Sequence, residues 1–371
     1  MHRFDYRTAA DNLITPQITR LLTAIHEAKG RQSTRIALQP DIAKTLVSVA
    51  RIQSTDASNR IEGIATSDRR LGELVMEKTT PRNRDEEEIA GYRDVLALIH
   101  ESHDYIPLTP NVILQLHRDL FRHTPLVFGG RFKDTDNIIV ERMTDGTQSV
   151  RFTPPSALAT PELVERACAA YHDATTGAAP VDPLLATALF VFDFTCIHPF
   201  NDGNGRMSRL LTLLLMYRAD FDVGKYVSIE RIIECTKDTY YDALAASTSG
   251  WNENANDYAP FMRYLLGTVL TAYRDFDERV GAVARAARAA VGDASSGGVA
   301  DVAGTTGTAT KEERIITLFD RTLAPMAKRD VLRELPDISE TTVERTLRKL
   351  LAAGDLVKIG AGRSTRYVRH R

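Results

Sequence analysis

Within twelve residues, His198-Pro-Phe-Asn-Asp-Gly-Asn-Gly-Arg-Met-Ser-Arg209 gathers an imidazole, a carboxylate, two guanidinium groups and two glycines. Gly203, Asn204 and Gly205 allow tight backbone geometry, and the glycines let a ligand approach the chain. From Arg206 to Arg218 the apolar residues recur at helical period, so the loop opens a helix. Amides at a helix start are unpaired and carry the positive end of the dipole, which makes an anion site. Arg206 and Arg209 stand three apart on one helical face, where both can reach the same anion. Asp202 is placed to hold a Mg²⁺ that bridges phosphates. His198 precedes the loop, where its ring can take a proton from an attacking hydroxyl. Each part alone has a plain structural reading, as a loop histidine, a turn or a solvated face; the conjunction is what carries weight. Cys196, two residues before His198, suggests a thiol nucleophile. Phe192, Phe194 and Ile197 make its setting apolar, so a buried inert thiol is the expectation.

The elements that must hold this loop read mostly at helical period. Apolar residues three and four apart predict helices over Ile18–Ala28, Asp41–Val49, Asp85–His100, Asn111–Phe121, Pro161–Ala170 and Pro183–Phe194. Between Phe128 and Pro155 the texture changes. Asn137–Val140 and Ser149–Phe152 are β-type runs separated by Thr144-Asp-Gly-Thr147, with Asp145-Gly146 as the hairpin signal and Pro154-Pro155 as the stop. A helical body with one hairpin follows, and an exposed hairpin edge can receive an extended peptide. A long helix is expected from Tyr258 to about Ala290, then a Gly/Ser/Thr/Ala tract that reads as a flexible linker.

With 371 residues, 43% of them hydrophobic and 26% charged, the chain is too long for one ordinary core and is not a disordered, collagenous or small disulfide-stapled protein. Net charge is −2, but residues 311–371 carry 14 Lys/Arg against 9 Asp/Glu, a local +5 on a body of −7. Cys168, Cys196 and Cys235 form no CxxC pair, which fits reduced thiols in a cytoplasm. The opening residues have no apolar core of a signal peptide, and the longest strongly apolar run, Leu210–Tyr217, is far short of a membrane span. The expectation is a soluble cytoplasmic protein with no membrane partner.

The twelve-residue window resembles the Fic family signature, HPFxxGNGRxxR, and matches all eight specified positions, with Asp202 at the usual acidic place. The resemblance runs from about Thr45 to Thr268. The stretch from Gly130-Arg131 to Pro154-Pro155 is similar to the hairpin flap that aligns a target in that family, and Tyr240-Tyr241 to Leu265 to the stretch where a tyrosine lies near the adenine. What the resemblance implies is protein adenylyl transfer, AMP moving from ATP to a Tyr, Thr or Ser hydroxyl of a protein target. It makes His198 the general base, Asp202 the Mg²⁺ ligand on the α- and β-phosphates, and Arg209 the holder of the γ-phosphate. Asn204 and the amides around Gly203 and Gly205 cradle the phosphates, Arg206 adds charge, Tyr241 lies at the adenine, and Phe200 anchors the loop.

Upstream, Ser58-Asn-Arg-Ile-Glu-Gly63 resembles the family's inhibitory motif, [S/T]xxxE[G/N]. Ser58 and Glu62 are four apart on one helix face, and Gly63 suits a helix C-cap. The resemblance implies that Glu62 pairs with Arg209 and silences the enzyme, with Ser58 bonding near Asn204. In some relatives the same glutamate helps water remove AMP from a modified target, so transfer and removal both stand.

Downstream, Glu312–Phe319, Lys328–Leu335 and Glu340–Ala353 read as three helices, with Ser339 as N-cap and Gly354 as the stop of the third. Leu356–Ile359 and Ser364–Val368 read as two strands. That is the pattern of a winged helix-turn-helix. Thr341, Thr342, Arg345, Arg348 and Lys349 on the third helix, with Arg363 and Arg366 on the wing, suit DNA contact, while protein docking suits a modest charge equally. The expected layout is a helical region with the inhibitory motif at 1–104, a catalytic core at 105–285, a linker at 286–310 and the winged helix at 311–371. The fold class is mainly α, a Fic-type helical bundle with one β-hairpin flap. A DNA-binding regulator whose body only senses ATP remains as an alternative, and homo-oligomerisation is left open.

Overall fold

The computed structural model describes residues 2–38, 40–126, 128–142, 148–294, 310–321, 326–335, 337–352, 356–359 and 365–369. Helices α1 (Tyr6–Leu13), α2 (Pro16–Leu38), α3 (Pro40–Ile61), α4 (Asp68–Val75), α5 (Arg84–Ser102) and α6 (Pro110–Leu120) lead to a hairpin of β1 (Ile139–Arg142) and β2 (Gln148–Phe152). Then come α7 (Thr160–Thr175), α8 (Pro183–Ile197), α9 (Asn204–Arg218), α10 (Ile229–Cys235), α11 (Lys237–Thr248) and α12 (Ala259–Ala294). The six helices expected from periodicity all form; five run longer, and α6 has the expected length but sits one residue earlier, with Phe121 as its C-cap. Their starts are chemically marked. Asn83 accepts the Glu86 amide at the head of α5, Thr109 accepts the Val112 amide before Pro110, and Asp182 accepts the Leu184 amide before Pro183.

At the centre, α8 and α9 are buried on nearly every side, which is why neither sequence shows a polar stripe. Around them α2 packs on α12, α3 on α10 and α5, and α7 on α8. One hydrophobic cluster runs from Tyr6 and Ile25 through Leu96, Leu189 and Leu213 to Phe276. The region at 1–104 therefore shares the core of 105–285 rather than standing beside it. Burying one such side chain stabilises by about 1.5–3 kcal/mol, so the segment from Ser58 to Gly63 rests on a firm base.

The hairpin pairs antiparallel, Val140 with Val150 and Arg142 with Gln148, with an irregularity between Ile139 and Val140. β1 starts two residues later than expected, and the Asn137 side-chain amide just ahead of it donates to the Phe200 carbonyl at 3.2 Å. The expected turn at Thr144–Thr147 lies outside the described residues. Helix α12 continues to Ala294, so residues 286–294, assigned to the linker from composition, are helical; alanines there favour helix until the Ser/Gly run begins. Residues 295–309 lie outside the description.

Beyond them are α13 (Lys311–Arg321), α14 (Lys328–Glu334), α15 (Glu340–Ala352) and the antiparallel strands β3 (Leu356–Ile359) and β4 (Arg366–Arg369). They enclose a second core of Ile315, Phe319, Val331, Val343, Leu347 and Leu356. Tyr367 of β4 also bridges to Met326. The Ser339 hydroxyl meets the Thr342 hydroxyl at 2.9 Å. Gly354 and Arg363 lie outside the described residues. No helix among the described residues is long and apolar enough to cross a membrane.

Candidate active site

His198 ends α8 in the left-handed region, φ 49°, and Gly203 opens α9 in the same region at φ 82°. A Cβ on Gly203 would lie 2.9 Å from the Phe121 ring, so this entry needs glycine for space as well as for φ. The short loop between them is thus bent sharply at both ends. Phe200 is fully buried and stacks on His117 with ring centres 3.6 Å apart, the anchor expected of it.

Asn204 holds the loop closed rather than facing outward. Its Oδ1 accepts the Phe200 amide at 2.9 Å, and its Nδ2 donates to the Phe200 carbonyl at 2.8 Å. The side chain expected to touch phosphate is therefore spent inside the loop. Arg206 also departs from expectation. Its side chain is buried, with one nitrogen 2.7 Å from Glu88 of α5, another 3.7 Å from Asp202, and the guanidinium 5.1 Å above the Phe121 ring. A guanidinium so engaged faces inward, toward Glu88 and the Phe121 ring, and not outward from the helix start. Asp202, with its side chain 43% exposed, accepts the Gly203 amide at 2.6 Å and lies 3.5 Å from Arg84.

Arg209 points at the upstream motif. Its Nε donates to the Ser58 hydroxyl at 2.8 Å, and a terminal nitrogen donates to the Ser58 carbonyl at 2.9 Å and to Glu62 Oε1 at 2.7 Å. Ser58 thus bonds Arg209 and not the neighbourhood of Asn204. Glu62 stands one residue past α3, in the turn that Gly63 closes at φ 81°. Lys237 donates to the Ile61 carbonyl at 2.8 Å and fixes that turn. Farther along α3, Ser54 donates to Glu230, which also receives the hydroxyls of Ser228 and Tyr92. The carboxylate of Glu62 lies over the first turn of α9: a Cβ on Gly205 would be 2.2 Å from Glu62 Oε1. Burial pushes the Glu62 carboxyl up, and the charge and hydrogen bond of Arg209 outweigh it, holding the group below its ordinary range.

Burial, helped by the Lys133 charge, pulls His198 down to about 4, against the Thr195 carbonyl and Glu62. The ring is neutral at physiological pH and can accept a proton. Tyr241 is half-buried near the Glu62–Arg209 pair, with Arg151 and Lys237 over its ring and Tyr240 beside it. The Arg151 guanidinium also donates to the Tyr241 carbonyl. The structure therefore brings Ser58, Glu62, Gly205, Arg209, Tyr241 and His198 to one place, with Asp202 at the loop's outer edge. Cys196 is buried, and burial pushes its thiol well up, as an inert thiol requires.

Sequence reading missed the loop's supports. Lys133, Asn137, His117, Glu88 and Arg84 carry no motif, and nothing in the sequence marks them, since their burial and partners come only from packing. Among the described residues no three His, Cys, Asp or Glu side chains converge as a metal cluster. A Mg²⁺ held by one carboxylate, waters and substrate phosphates needs no such cluster, and the exposed Asp202 suits that donor set.

Residues 107–216 match the model of the Fic/DOC family. The chain is 29% identical over 169 residues to protein adenylyltransferase fic-1 of Caenorhabditis elegans, covering 46% of this chain and 28% of that protein. It is 28% identical over 160 residues to protein adenylyltransferase Fic of Nematostella vectensis, 43% of this chain and 31% of that one. The chain thus spans about a third or less of the length of the curated relatives it matches. Among solved structures, a Fic family protein from Desulfovibrio desulfuricans is similar at a TM-score of 0.57 and 21% identity, over 96% of this chain and 97% of that one. A Fic domain containing signaling protein from Bacteroides thetaiotaomicron is similar at 0.54 and 22%, over 70% and 95%.

Proposed function

We propose that this chain, which carries a Fic/DOC family domain at residues 107–216, moves AMP from ATP to a hydroxyl of a protein target and is held silent by Glu62. The names of its relatives as protein adenylyltransferases support the reaction class. The observation that carries the regulated form is the Glu62 carboxylate lying on Gly205 and bonded to Arg209. An anion of the chain itself occupies the helix start that a phosphate must reach.

In the chemistry, neutral His198 accepts the proton of the target hydroxyl as its oxygen attacks the α-phosphorus. The bond from that phosphorus to the bridging oxygen breaks, and pyrophosphate leaves with the electron pair. Amides around Gly203 and Gly205 stabilise the developing charge, and Arg209, once freed from Glu62, holds the outer phosphates. Asp202 would hold the Mg²⁺, which supplies positive charge to the phosphates when bound. Tyr241 would flank the base of the nucleotide. In the C-terminal module Lys349 pairs with Glu312, Lys328 with Glu340 and Glu344, and Arg314 with Asp337, which supports a docking piece, while Arg345 and Arg348 stay exposed on α15.

The test is incubation with Mg²⁺ and ATP labelled at the α-phosphate, using wild type, Glu62→Gly and His198→Ala. Label on protein, strongest in Glu62→Gly and absent from His198→Ala, is the expected result. Label that survives in His198→Ala would overturn the base assignment. AMP loss from a labelled target that needs Glu62 would instead establish removal as the activity.

A further inference from the structure

The loop that carries His198 has three carbonyls tied to one short segment ahead of the hairpin. Lys133 is buried, 3% exposed, although it carries an ammonium. Its Nζ donates to the Ile197 carbonyl at 3.2 Å, and its backbone amide donates to the Pro199 carbonyl at 2.8 Å. The two bonds bracket His198 in the chain. Nζ also donates to Asn137 Oδ1 at 3.0 Å, and the Asn137 amide donates to the Phe200 carbonyl at 3.2 Å. Carbonyls at a helix C-terminus that leave the helix in a left-handed turn lose their regular partners, and here one lysine and one asparagine replace them. Two residues after Asn137, β1 begins.

We infer that Lys133 and Asn137 are positioning residues that lock the His198 loop to the root of the β1–β2 hairpin, so that the base and the hairpin edge move as one piece. The inference rests on the reading of His198 as the base. A target laid along the hairpin is then presented at a set distance from the imidazole, which is what efficient proton removal demands. The charge serves a second purpose. Lys133 and Glu62 are the charged groups that face His198, and Asp136 faces Lys133. A buried ammonium beside the ring disfavours the imidazolium and keeps the base free. Lys133 is itself pulled down to about 8 by burial, against Asp136, so its charge fades above that pH while the backbone and Asn137 bonds of the lock remain.

The experiment compares Lys133→Met, Asn137→Ala and Lys133→Arg in full-length chain carrying Glu62→Gly. Two readouts need neither nucleotide nor target: the NMR titration of His198, assigned with His198→Gln, and amide hydrogen exchange over residues 197–203 and 138–142. Lys133→Met is expected to raise the His198 midpoint by roughly one unit and to speed exchange in both segments by at least ~10-fold. Asn137→Ala removes no charge, so exchange should quicken while the midpoint stays. Lys133→Arg should restore the midpoint. AMP transfer should fall ~10²-fold in kcat for Lys133→Met with little change in the KM for ATP. If midpoint and exchange are unmoved in both Lys133→Met and Asn137→Ala, the positioning role is wrong. If they move as described but no variant transfers AMP, the lock stands and the functional reading alone falls.

Discussion

Removing Glu62 should tighten ATP binding by an amount that the ion pair itself sets. Arg209 is 3% exposed and Glu62 32%, and their charged atoms meet at 2.7 Å. A phosphate that takes Arg209 must first break that contact, and a hydrogen bond between charged groups contributes about 1.5–3 kcal/mol. Because Glu62 is partly solvated, the lower half of that range applies, which corresponds to roughly 13- to 45-fold in Kd. The same substitution leaves a buried guanidinium with only Ser58 as partner. Stability of the nucleotide-free chain should therefore drop by about 1–2 kcal/mol, and ATP should restore it. The assay is titration calorimetry of Mg²⁺ and ATP into His198→Ala and into His198→Ala with Glu62→Gly, where turnover cannot confuse the heat. Gly205→Ala provides a cross-check, since its new methyl would meet Glu62 at 2.2 Å but Arg209 only at 3.3 Å. That alanine should destabilise the chain more when Glu62 is present than when it is glycine. Equal ATP affinities, within about twofold, for the two His198→Ala proteins would refute the idea that Glu62 competes with phosphate for Arg209.

Two further outcomes are expected. Burial pulls His2, His117 and His198 down to about 4 and His100 to about 3, so the unfolded chain binds more protons as pH falls below about 6.5. Asp193, pushed up to about 7 by burial, acts in the opposite direction and gains stability over part of the same window. The histidines outnumber it, so stability should be full near pH 7 and fall by up to ~3 kcal/mol per pH unit near pH 5, read as urea midpoints at pH 5 and 7. A flat profile would contradict the neutral burial of these rings. Because Lys328 and Lys349 are paired with acidic neighbours and few basic groups such as Arg345 and Arg348 stay exposed, this chain should bind mixed duplex DNA no tighter than about 1 μM at physiological salt, with a shallow salt slope. Submicromolar affinity that falls steeply with salt would favour a DNA-reading module.

Much of the molecule is legible locally. The anion loop, its helix and the glycines at 203 and 205 follow from residue types within one short window, because backbone geometry at a helix start is a local matter. Helix positions follow from period and caps for the same reason. What no local rule supplies is where a polar side chain turns once the loop is packed. Asn204 folds back on Phe200, and Arg206 turns inward to Glu88, residues 4 and 118 positions away. Only the packing of α5 against α9 decides the latter. The same holds for Lys133, a plain lysine in the sequence that burial turns into a bracket around His198. Residue order alone establishes which groups are present and that a helix begins after a glycine turn. Packing in three dimensions selects which of them face that site and which are consumed holding it. The reason is physical: a buried donor or acceptor must find a partner, and that partner is chosen by proximity in space, which the order of residues along the chain does not contain.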